Sequence, residues 1–320
     1  MHRLTWLVAA CVGLAGVALA AASSEQTVQG IYEGAWKDAK GSHKIEARVV
    51  ACGKQAYQVF VREVLQDKTV AKAEMEGKTE GEKIAFAGGD WSAEYAGGAI
   101  VGKCGDGGTF ELQRTLRQSP TLGAKVPAGA VVLLDGKNFD EVVKKPLKDG
   151  KEQEWTLVEG GAIQMPKGGL NSKQQFAGSF KLHVEFNIPF MPDGRGQGRG
   201  NSGVCLPNGE EIQVLDSFGM TTYEGGGCGG LYKYKDPDAF DKFSLASLPP
   251  LQWQTYDIEY HVQTKDGKVA GKPRVTVLHN GIKIHDNAEL QKDAKSGTFH
   301  FQDHGNPVQY RNLWVLPLKE

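Results

Sequence analysis

The chain lacks a surplus of either charge. Its 320 residues include 37 Lys and Arg against 38 Asp and Glu, which gives a formal net charge of -1. Proteins that bind nucleic acids or anionic membrane surfaces carry surplus or clustered basic residues. The charge balance therefore predicts that the chain has no nucleic-acid partner.

Helical periodicity and Gly-X-Y repeats are also lacking. The 42 glycines stand between short runs in which apolar and polar residues alternate. Alternation with a period of two is typical of strands that bury one face, and glycine supplies the positive φ angles of the turns between strands. The missing repeat excludes collagen, and the alternation predicts an all-β fold.

Residues 1–22 have the pattern of a signal peptide. A basic start precedes an apolar run over 4–19, and small residues favour cleavage near Ala20 or Ala22. This predicts a secreted or periplasmic protein with no membrane contact after cleavage. An uncleaved anchor and a lipoprotein cysteine at Cys11 are the alternatives. The run is slightly short for a membrane span, and it continues past Cys11.

Cysteine is scarce in the remaining chain, which contains Cys52, Cys104, Cys205 and Cys228. Four cysteines in an oxidising compartment allow three pairings. Their distribution favours disulfides Cys52–Cys104 and Cys205–Cys228, one in each half of the chain. The alternative is four thiols that pack as small apolar groups. Because no Cys-x-x-Cys or His-x-x-x-His spacing occurs, a zinc site is not expected.

Residues 118–129 divide the chain into two parts. This stretch contains turn-forming residues without periodicity, which indicates a linker. Residues 25–117 contain short alternating runs and predict a small N-terminal β-barrel or sandwich with a packing or binding role. Residues 130–320 contain many antiparallel strands in one larger unit, which predicts a two-sheet jelly-roll sandwich.

Three predicted strands of the second part carry polar residues on one face. Such faces line a groove if a sheet curves, and the simpler interpretation is that each is an ordinary solvated face. The polar positions are His183, Glu185 and Asn187 on the first strand, Glu211 and Gln213 on the second, and His300, Gln302 and His304 on the third.

The string Glu211-x-Gln213-x-x-Asp216 is the sharpest of these candidates. Alternation places Glu211 and Gln213 on one face, and Asp216 joins them only if a β-bulge shifts the parity by one residue. Two carboxylates at ~5–5.5 Å or ~6.5–9.5 Å suit acid–base chemistry on sugars. His304 could share a proton with either carboxylate because an imidazole titrates near neutrality.

Three further segments are weaker candidates. Asn201 could place an amide beside the groove, or simply belong to a turn. The glycine-rich segment 225–230 lacks the Lys and Ser/Thr of a phosphate loop, so it predicts a flexible or closely approached loop. Asp236-x-Asp238-x-x-Asp241 offers oxygen ligands for calcium but lacks the full EF-hand pattern, so no metal site is predicted there.

Several ordered motifs together resemble the 3-keto-disaccharide hydrolase family, over about 130–318. The N-terminal part lies outside this resemblance and is similar to extensions of planctomycete-like secreted members. The motifs are LLDGKNF at 133–139, NSGV at 201–204, EIQVLDSFG at 211–219, CGGLY at 228–232, WQTYDI at 253–258, VTVLHNG at 275–281 and FQDHGNPVQYRN at 301–312.

The resemblance implies a concanavalin-like jelly roll, related in shape to glucanases that carry Glu-x-Asp-x-x-Glu on a bulged strand. Here Gln213 and Asp216 stand where those enzymes carry Asp and Glu, which argues against an ordinary retaining glycosidase. The family name implies another route. A base removes the C2 hydrogen that a 3-keto group acidifies, the C1 substituent leaves, and water adds.

The hypothesis for this route assigns Glu211 as the base and Asp216 or His304 as the acid. Gln213, Arg311 or a metal would polarise the ketone, although Arg311 could equally be a structural ion-pair residue. No cofactor is required, with a divalent cation such as calcium as the alternative. The substrate-binding candidates are Asn201, Gln213, Glu185, His183, Gln302 and Arg311.

Two other functions are alternatives to this hypothesis. The first is a non-catalytic carbohydrate-binding protein, a role that concanavalin-like folds also serve, and the second is a conventional glycoside hydrolase. All three hypotheses have a small carbohydrate as the ligand.

Overall fold

A computed structural model describes residues 24–318 except 67, 81–82, 106, 145–148, 152–153, 239–245 and 267. The predicted signal peptide therefore lies outside the described residues. The all-β prediction is confirmed, since the described part contains only a short helix α1, Ser24–Val28, and a 3₁₀ turn, Gly196–Gly198, besides its strands. None of the helices in the described ranges is long and apolar enough to span a membrane.

Eight antiparallel strands form a closed barrel in the first part of the chain. Alternate residues such as Ala47, Val49, Val59 and Val61 fill its interior. The barrel closes because the first strand pairs with the eighth as well as with the second. The strands are β1 Gly30–Asp38, β2 Gly41–Ala51, β3 Ala56–Val64, β4 Thr69–Glu80, β5 Lys83–Gly88, β6 Trp91–Ala96, β7 Ala99–Lys103 and β8 Thr109–Thr115.

Two antiparallel sheets form the second part and enclose its core, as the sandwich prediction requires. The strands are β9 Val131–Leu134, β10 Val142–Lys144, β11 Thr156–Val158, β12 Ala162–Gln164, β13 Leu170–Ser172, β14 Phe180–Asn187, β15 Ser202–Cys205, β16 Glu211–Val214, β17 Trp253–Lys265, β18 Lys268–His279, β19 Ile282–Glu289, β20 His300–Phe301 and β21 Gln309–Pro317. One sheet has the order β10-β13-β20-β15-β16, and the other has the order β11-β12-β21-β14-β17-β18-β19 with β9 paired to β21.

The core lies between the inner faces of these two sheets. Leu182, Val184 and Phe186 point inward from β14, as their alternation predicts, and meet residues such as Val204 and Phe301 of the five-stranded sheet. Each strand therefore buries one face in the core and turns its other face outward.

The outer face of β14 is covered by the linker and does not line a groove with Glu211. The Glu185 carboxylate accepts hydrogen bonds from the Gly123 amide at 2.6 Å and from Arg311 Nε at 2.7 Å. His183 Nδ1 lies 2.6 Å from an Asp257 carboxylate oxygen. The expectation that His183 and Glu185 share a groove with Glu211 is wrong, because β14 belongs to the other sheet. Arg311 of β21 lies on that sheet too and forms an ion pair with Glu185, which is the structural alternative given for it.

Glu185 contributes stability that depends on pH. Burial raises the pKa of its carboxyl group, but hydrogen bonds from His183, Asn312 and Arg311 lower this pKa from 4.5 to about 2. A carboxyl group whose pKa is lower in the folded state stabilises the fold above its unfolded pKa. That contribution is lost as the pH falls from about 4.5 towards 2.

We therefore expect Glu185→Gln to lower the free energy of unfolding by about 3 kcal/mol at neutral pH, because the paired buried charges lose their partner. Urea unfolding at about pH 7 and about pH 3 should show a smaller loss at the lower pH. The control is Glu289→Gln, which removes an exposed partner of Arg274. An equal loss at both pH values would contradict the assigned charge network.

The outer face of strands β1–β3 of the barrel packs against loops of the sandwich. Val50 and Phe60 of the barrel form an apolar cluster with Phe218 and Leu248. Arg199 Nη2 donates a hydrogen bond of 3.2 Å to the Ala51 carbonyl oxygen in the barrel. The loops on both sides of β15 and β16 are therefore fixed partly by the barrel.

Candidate functional site

A row of four polar side chains crosses the outer face of the five-stranded sheet. Residues that face each other directly in an antiparallel pair point to the same side of the sheet. Their direct neighbours along the strands, such as Phe301 and Ile212, are buried in the core. All four members are half-buried. This polar row consists, from β13 to β16, of Asn171, His300, Cys205 and Glu211.

Glu211 has the environment of an acid–base group. Burial raises the pKa of its carboxyl group from 4.5 to about 7, although the positive charges of Lys292 and Lys233 lower this pKa in part. No hydrogen bond to this carboxylate occurs within the described ranges. A carboxyl group with a pKa near the working pH can accept and return a proton.

Gly203 makes room for this carboxylate. A Cβ atom at position 203 would lie 2.1 Å from Glu211 Oε1. Because Gly203 is the direct partner of Gln213 in the neighbouring strand, the Glu211 side chain leans across β15 over a position without a side chain. The Asn-Ser-Gly motif therefore shapes the site, and it is more than a turn.

Gln213 and Asn201 belong to an amide cluster beside Glu211. Gln213 Nε2 donates to Gln197 Oε1 at 2.8 Å, and Asn201 Nδ2 donates to the same oxygen at 3.1 Å. Gln197 Nε2 in turn donates to the Gly226 carbonyl oxygen at 2.8 Å. The cluster joins β16 to the loop before β15 and to the glycine-rich segment. Gln213 and Asn201 therefore lie next to each other, and the side-chain amide of Gln213 is held by its hydrogen bond to Gln197.

The glycine-rich segment 225–230 is closely packed against the edge of β16. The backbone N–H of Gly229 donates to the backbone carbonyl oxygen of Gln213 at 2.8 Å, and the backbone N–H of Gln213 donates to the Gly230 carbonyl oxygen at 2.9 Å. Gly225 has a φ of 67°, and a Cβ atom there would lie 2.4 Å from the Leu231 carbonyl oxygen. Of the two predicted alternatives for this segment, a flexible loop or a loop closely approached by other backbone, the structure shows the second.

Two tyrosines next to Glu211 were missed by the sequence reasoning. The Tyr232 amide donates to the Glu211 carbonyl oxygen at 3.0 Å, and the Tyr223 hydroxyl donates to the Tyr232 hydroxyl at 2.8 Å. The Tyr223 side chain is 44% exposed and offers a ligand both an apolar ring and a polar tip. The usable signal was the aromatic residues on either side of the glycine-rich segment.

Asp216 does not join the polar row. The pairing of β15 with β16 keeps its register from Ser202 to Cys205, and β16 ends at Val214. The chain then turns inward, and an Asp216 oxygen accepts a hydrogen bond of 2.6 Å from Arg199 Nε. Both side chains are almost completely buried. The bulge that would have brought Asp216 to the face of Glu211 is not present, and Asp216 forms a buried ion pair with Arg199.

Gln302 and His304 have different positions. The backbone N–H of Gln302 donates to the Gly203 carbonyl oxygen at 2.9 Å, so the pairing with β15 continues past Phe301. Alternation therefore places the half-buried Gln302 side chain on the same face as His300. β20 ends at Phe301, and His304 is exposed in the turn that follows. The expectation that His304 shares the strand face is therefore wrong, while its chemical role stays a prediction.

The four cysteines that the structure describes are thiols, so neither predicted disulfide is formed. Cys205 lies in the polar row, whereas Cys228 lies in the core with its sulfur 3.0 Å from the Tyr256 hydroxyl. The faces of the sheet separate these two sulfurs. Cys52 follows β2 and Cys104 follows β7, where their sulfurs are hydrogen-bonded to nearby carbonyl oxygens.

The aspartates considered for calcium are partly engaged in local contacts. Asp236 accepts a hydrogen bond of 2.8 Å from the Gly225 amide, and Asp238 pairs with Lys235. Asp241 lies outside the described residues. Within the ranges that the structure describes, no group of three or more His, Cys, Asp or Glu side chains is arranged to hold a metal ion.

The fold and site define a two-sheet β-sandwich with a titratable carboxyl group on a polar outer sheet face. Residues 129–316 match the 3-keto-alpha-glucoside-1,2-lyase-like domain, and the chain belongs to this family. No curated protein matches the chain.

Two solved structures from Parabacteroides distasonis ATCC 8503, both described provisionally as glycosyl hydrolases, are similar to the chain. The first has 31% identity and a TM-score of 0.51, over 60% of this chain and 85% of the other. The second has 18% identity and a TM-score of 0.41, over 59% of this chain and 99% of the other. The family match and the first similarity support a glycosidase-like function in broad terms.

Proposed function

We propose that the protein cleaves 3-keto-glycosides by removing the C2 proton, with Glu211 as the base. The observation that carries this proposal is the Glu211 carboxyl group, whose pKa burial raises to about 7 on the polar face of a 1,2-lyase-like domain. The broader statement, that the domain acts on glycosides, rests on the family.

The chemistry is redox-neutral elimination followed by hydration. Glu211 takes the C2 proton, and the C2–H electron pair forms a C1=C2 double bond conjugated with the C3 ketone. The C1–O bond breaks, and its electron pair stays on the leaving oxygen, which must gain a proton. Water then adds across C1=C2 by the reverse steps, which returns the Glu211 proton to C2 and releases a 3-keto sugar.

The pKa of Glu211 suits this proton transfer. A hydrogen next to a ketone is a weak acid, so a base with an ordinary carboxylate pKa would have little driving force. Raising the pKa increases the strength of the base, while a value near 7 still leaves a large deprotonated fraction at neutral pH.

An ordinary glycosidase mechanism lacks its second carboxylate here. Such enzymes place two carboxyl groups about 5–5.5 Å or about 6.5–9.5 Å apart across the scissile bond. The described strands of the five-stranded sheet carry one carboxylate on the outer face, Glu211. Gln213 is an amide, and Asp216 is paired with Arg199 on the inner side.

The test is to incubate the purified protein with a 3-keto-disaccharide and with its unoxidised parent. We expect sugar release only from the keto form, slowed by deuterium at C2 because the C2–H bond breaks. Release from the parent without a C2 isotope effect would overturn the proposal in favour of conventional hydrolysis. Binding of both sugars without turnover of either would overturn it in favour of a non-catalytic carbohydrate-binding protein.

A further inference from the structure

Segment 229–232 extends the five-stranded sheet beyond β16 and adds Tyr232 to its outer face. Leu231 forms an antiparallel bridge with Ile212, and the backbone N–H of Tyr232 donates to the Glu211 carbonyl oxygen at 3.0 Å. Tyr232 therefore lies opposite Glu211 in this short pairing. Because Leu231 and Ile212 are buried in the core, alternation turns the Tyr232 and Glu211 side chains to the outer face. An aromatic ring thus continues the polar row at the edge of the sheet.

Tyr223 contacts Tyr232 at this edge. The two rings meet edge to face, with centroids 6.1 Å apart and an interplanar angle of 60°, and the Tyr223 hydroxyl donates to the Tyr232 hydroxyl at 2.8 Å. Burial and the contact with Tyr232 raise the pKa of Tyr223 to about 12, and the negative charge of Glu211 adds to this rise. A charge has this effect on a pKa at short range, so the Tyr223 hydroxyl lies near the Glu211 carboxylate.

The Tyr223 ring has one covered side and one open side. A Cβ atom at position 226 would lie 2.6 Å from Tyr223 Cε2, so the ring packs directly on the backbone of Gly226. The Tyr223 side chain is nevertheless exposed, which leaves the side away from Gly226 accessible to a ligand. Lys233 Nζ lies 5.2 Å from the centroid of the Tyr232 ring and partly covers it. Tyr223 is therefore the ring that a ligand can contact, and Tyr232 supports it.

The backbone around Tyr223 is held by hydrogen bonds in the ligand-free protein. The backbone N–H of Gly226 donates to the Tyr223 carbonyl oxygen at 2.8 Å and closes a turn. Gln197 Nε2 holds both ends of this turn, since it donates to Thr222 Oγ1 at 3.1 Å and to the Gly226 carbonyl oxygen at 2.8 Å. A group that is already fixed in place loses little conformational entropy when it binds a ligand.

A fixed and open tyrosine ring suits a sugar as its ligand. A pyranose ring has an apolar C–H face and hydroxyl groups around its rim, and tyrosine has an apolar ring with a polar tip. The ammonium group of Lys233 can donate hydrogen bonds to such hydroxyl groups. Its positive charge lowers the pKa of Glu211 in part, which places Lys233 close to the Glu211 carboxylate as well.

The position of this ring relative to Glu211 indicates which sugar it contacts. The ring that loses its C2 proton must contact the Glu211 carboxylate, so the second ring, attached through C1, lies beside Glu211. The two direct neighbours of Glu211 across the sheet are Cys205 on β15 and Tyr232 at the edge. Cys205 has a small side chain, whereas the edge provides an apolar surface of the size of a sugar ring.

We propose that Tyr223, supported by Tyr232, binds the leaving sugar of the 3-keto-disaccharide, and this inference rests on the proposed function. The contact is made through the face of the leaving sugar. It therefore selects substrates that carry a second pyranose ring at C1. A substrate with a small alkyl group at C1 makes no use of this contact.

The test compares a 3-keto-disaccharide with methyl 3-keto-α-glucoside, which has the same keto ring and no second sugar. We expect Tyr223→Ala to lower kcat/KM for the disaccharide by about tenfold or more, because truncation of a well-packed tyrosine in a binding interface commonly has an effect of this size. The same variant should change kcat/KM for the methyl glucoside by less than about twofold. Tyr223→Phe keeps the ring and should retain most of the activity on the disaccharide.

The control is Leu157→Ala, which removes an exposed apolar side chain from β11 of the other sheet and should alter neither rate. Retained cleavage of the methyl glucoside reports that Tyr223→Ala is folded. Equal losses of Tyr223→Ala on both substrates, or no loss on the disaccharide, would overturn the role of Tyr223 while the proposed function stands. A wild-type protein that cleaves neither substrate would overturn the proposed function itself, so the two failures are distinguishable.

Discussion

Glu211→Gln is expected to lower kcat/KM for a 3-keto-disaccharide by about 10²–10⁴-fold, the usual contribution of a general base. Glutamine keeps the shape of the side chain but cannot accept the C2 proton. The loss should apply equally to methyl 3-keto-α-glucoside, because proton removal precedes or accompanies departure of any leaving group. Steady-state kinetics on both substrates provide the measurement.

The wild-type pH profile gives a second readout of the same prediction. Because the base works in its deprotonated form, kcat/KM should rise with pH through the pKa of Glu211, about 7, and level off above it. Glu259→Gln, which changes an exposed glutamate paired with Lys181, is the matched control and should leave the profile unchanged. Full activity of Glu211→Gln would exclude Glu211 as the base.

Asp216→Ala is expected to lower the free energy of unfolding by about 3–5 kcal/mol, because Arg199 is left as a buried charge without its partner. The Arg199 side chain has 0% exposure and Asp216 has 1%, so water cannot replace the lost contact. Urea unfolding followed by tryptophan fluorescence measures the change. Asp286→Ala, which removes an exposed partner of Lys283, should cost no more than about 1 kcal/mol.

The same variant separates a structural role for Asp216 from a catalytic one. Folded Asp216→Ala should keep its turnover and its pH profile, since Asp216 faces away from the polar row. Combining it with Arg199→Met should recover part of the stability, because the double variant no longer buries a lone charge. A folded variant that has lost turnover would restore Asp216 as a catalytic candidate.

Local pattern was sufficient for much of the fold. The alternation over β14 identifies its inward residues, because a strand has only two faces. Asn280 and Gly281 have φ angles of 51° and 79° in the two-residue turn between β18 and β19, as an Asn-Gly hairpin signal requires. For the same reason Glu211 and Gln213 are placed correctly relative to each other.

Which segment covers the outer face of a strand depends on residues far away in the sequence, so the local pattern could not predict it. His183 and Glu185 have the spacing of a groove-lining strand, yet Gly123 of the linker donates to Glu185. Asp216 was misplaced because parity holds only inside a strand, and β16 ends two residues earlier. The cysteine pairing failed because spacing along the chain does not show that Cys205 and Cys228 lie on different sides of one sheet.

The contact between Phe218 and the barrel determines whether the two parts of the chain can exist separately. Phe218 and Leu248 belong to the segment that defines the family, yet they are 0% and 5% exposed and cluster with Ile31, Val50 and Phe60 of the barrel. Cutting the chain at the family boundary would expose an apolar patch of the kind that promotes aggregation. The two halves should therefore be inherited as a unit, with compensating changes on the two sides of this contact during evolution.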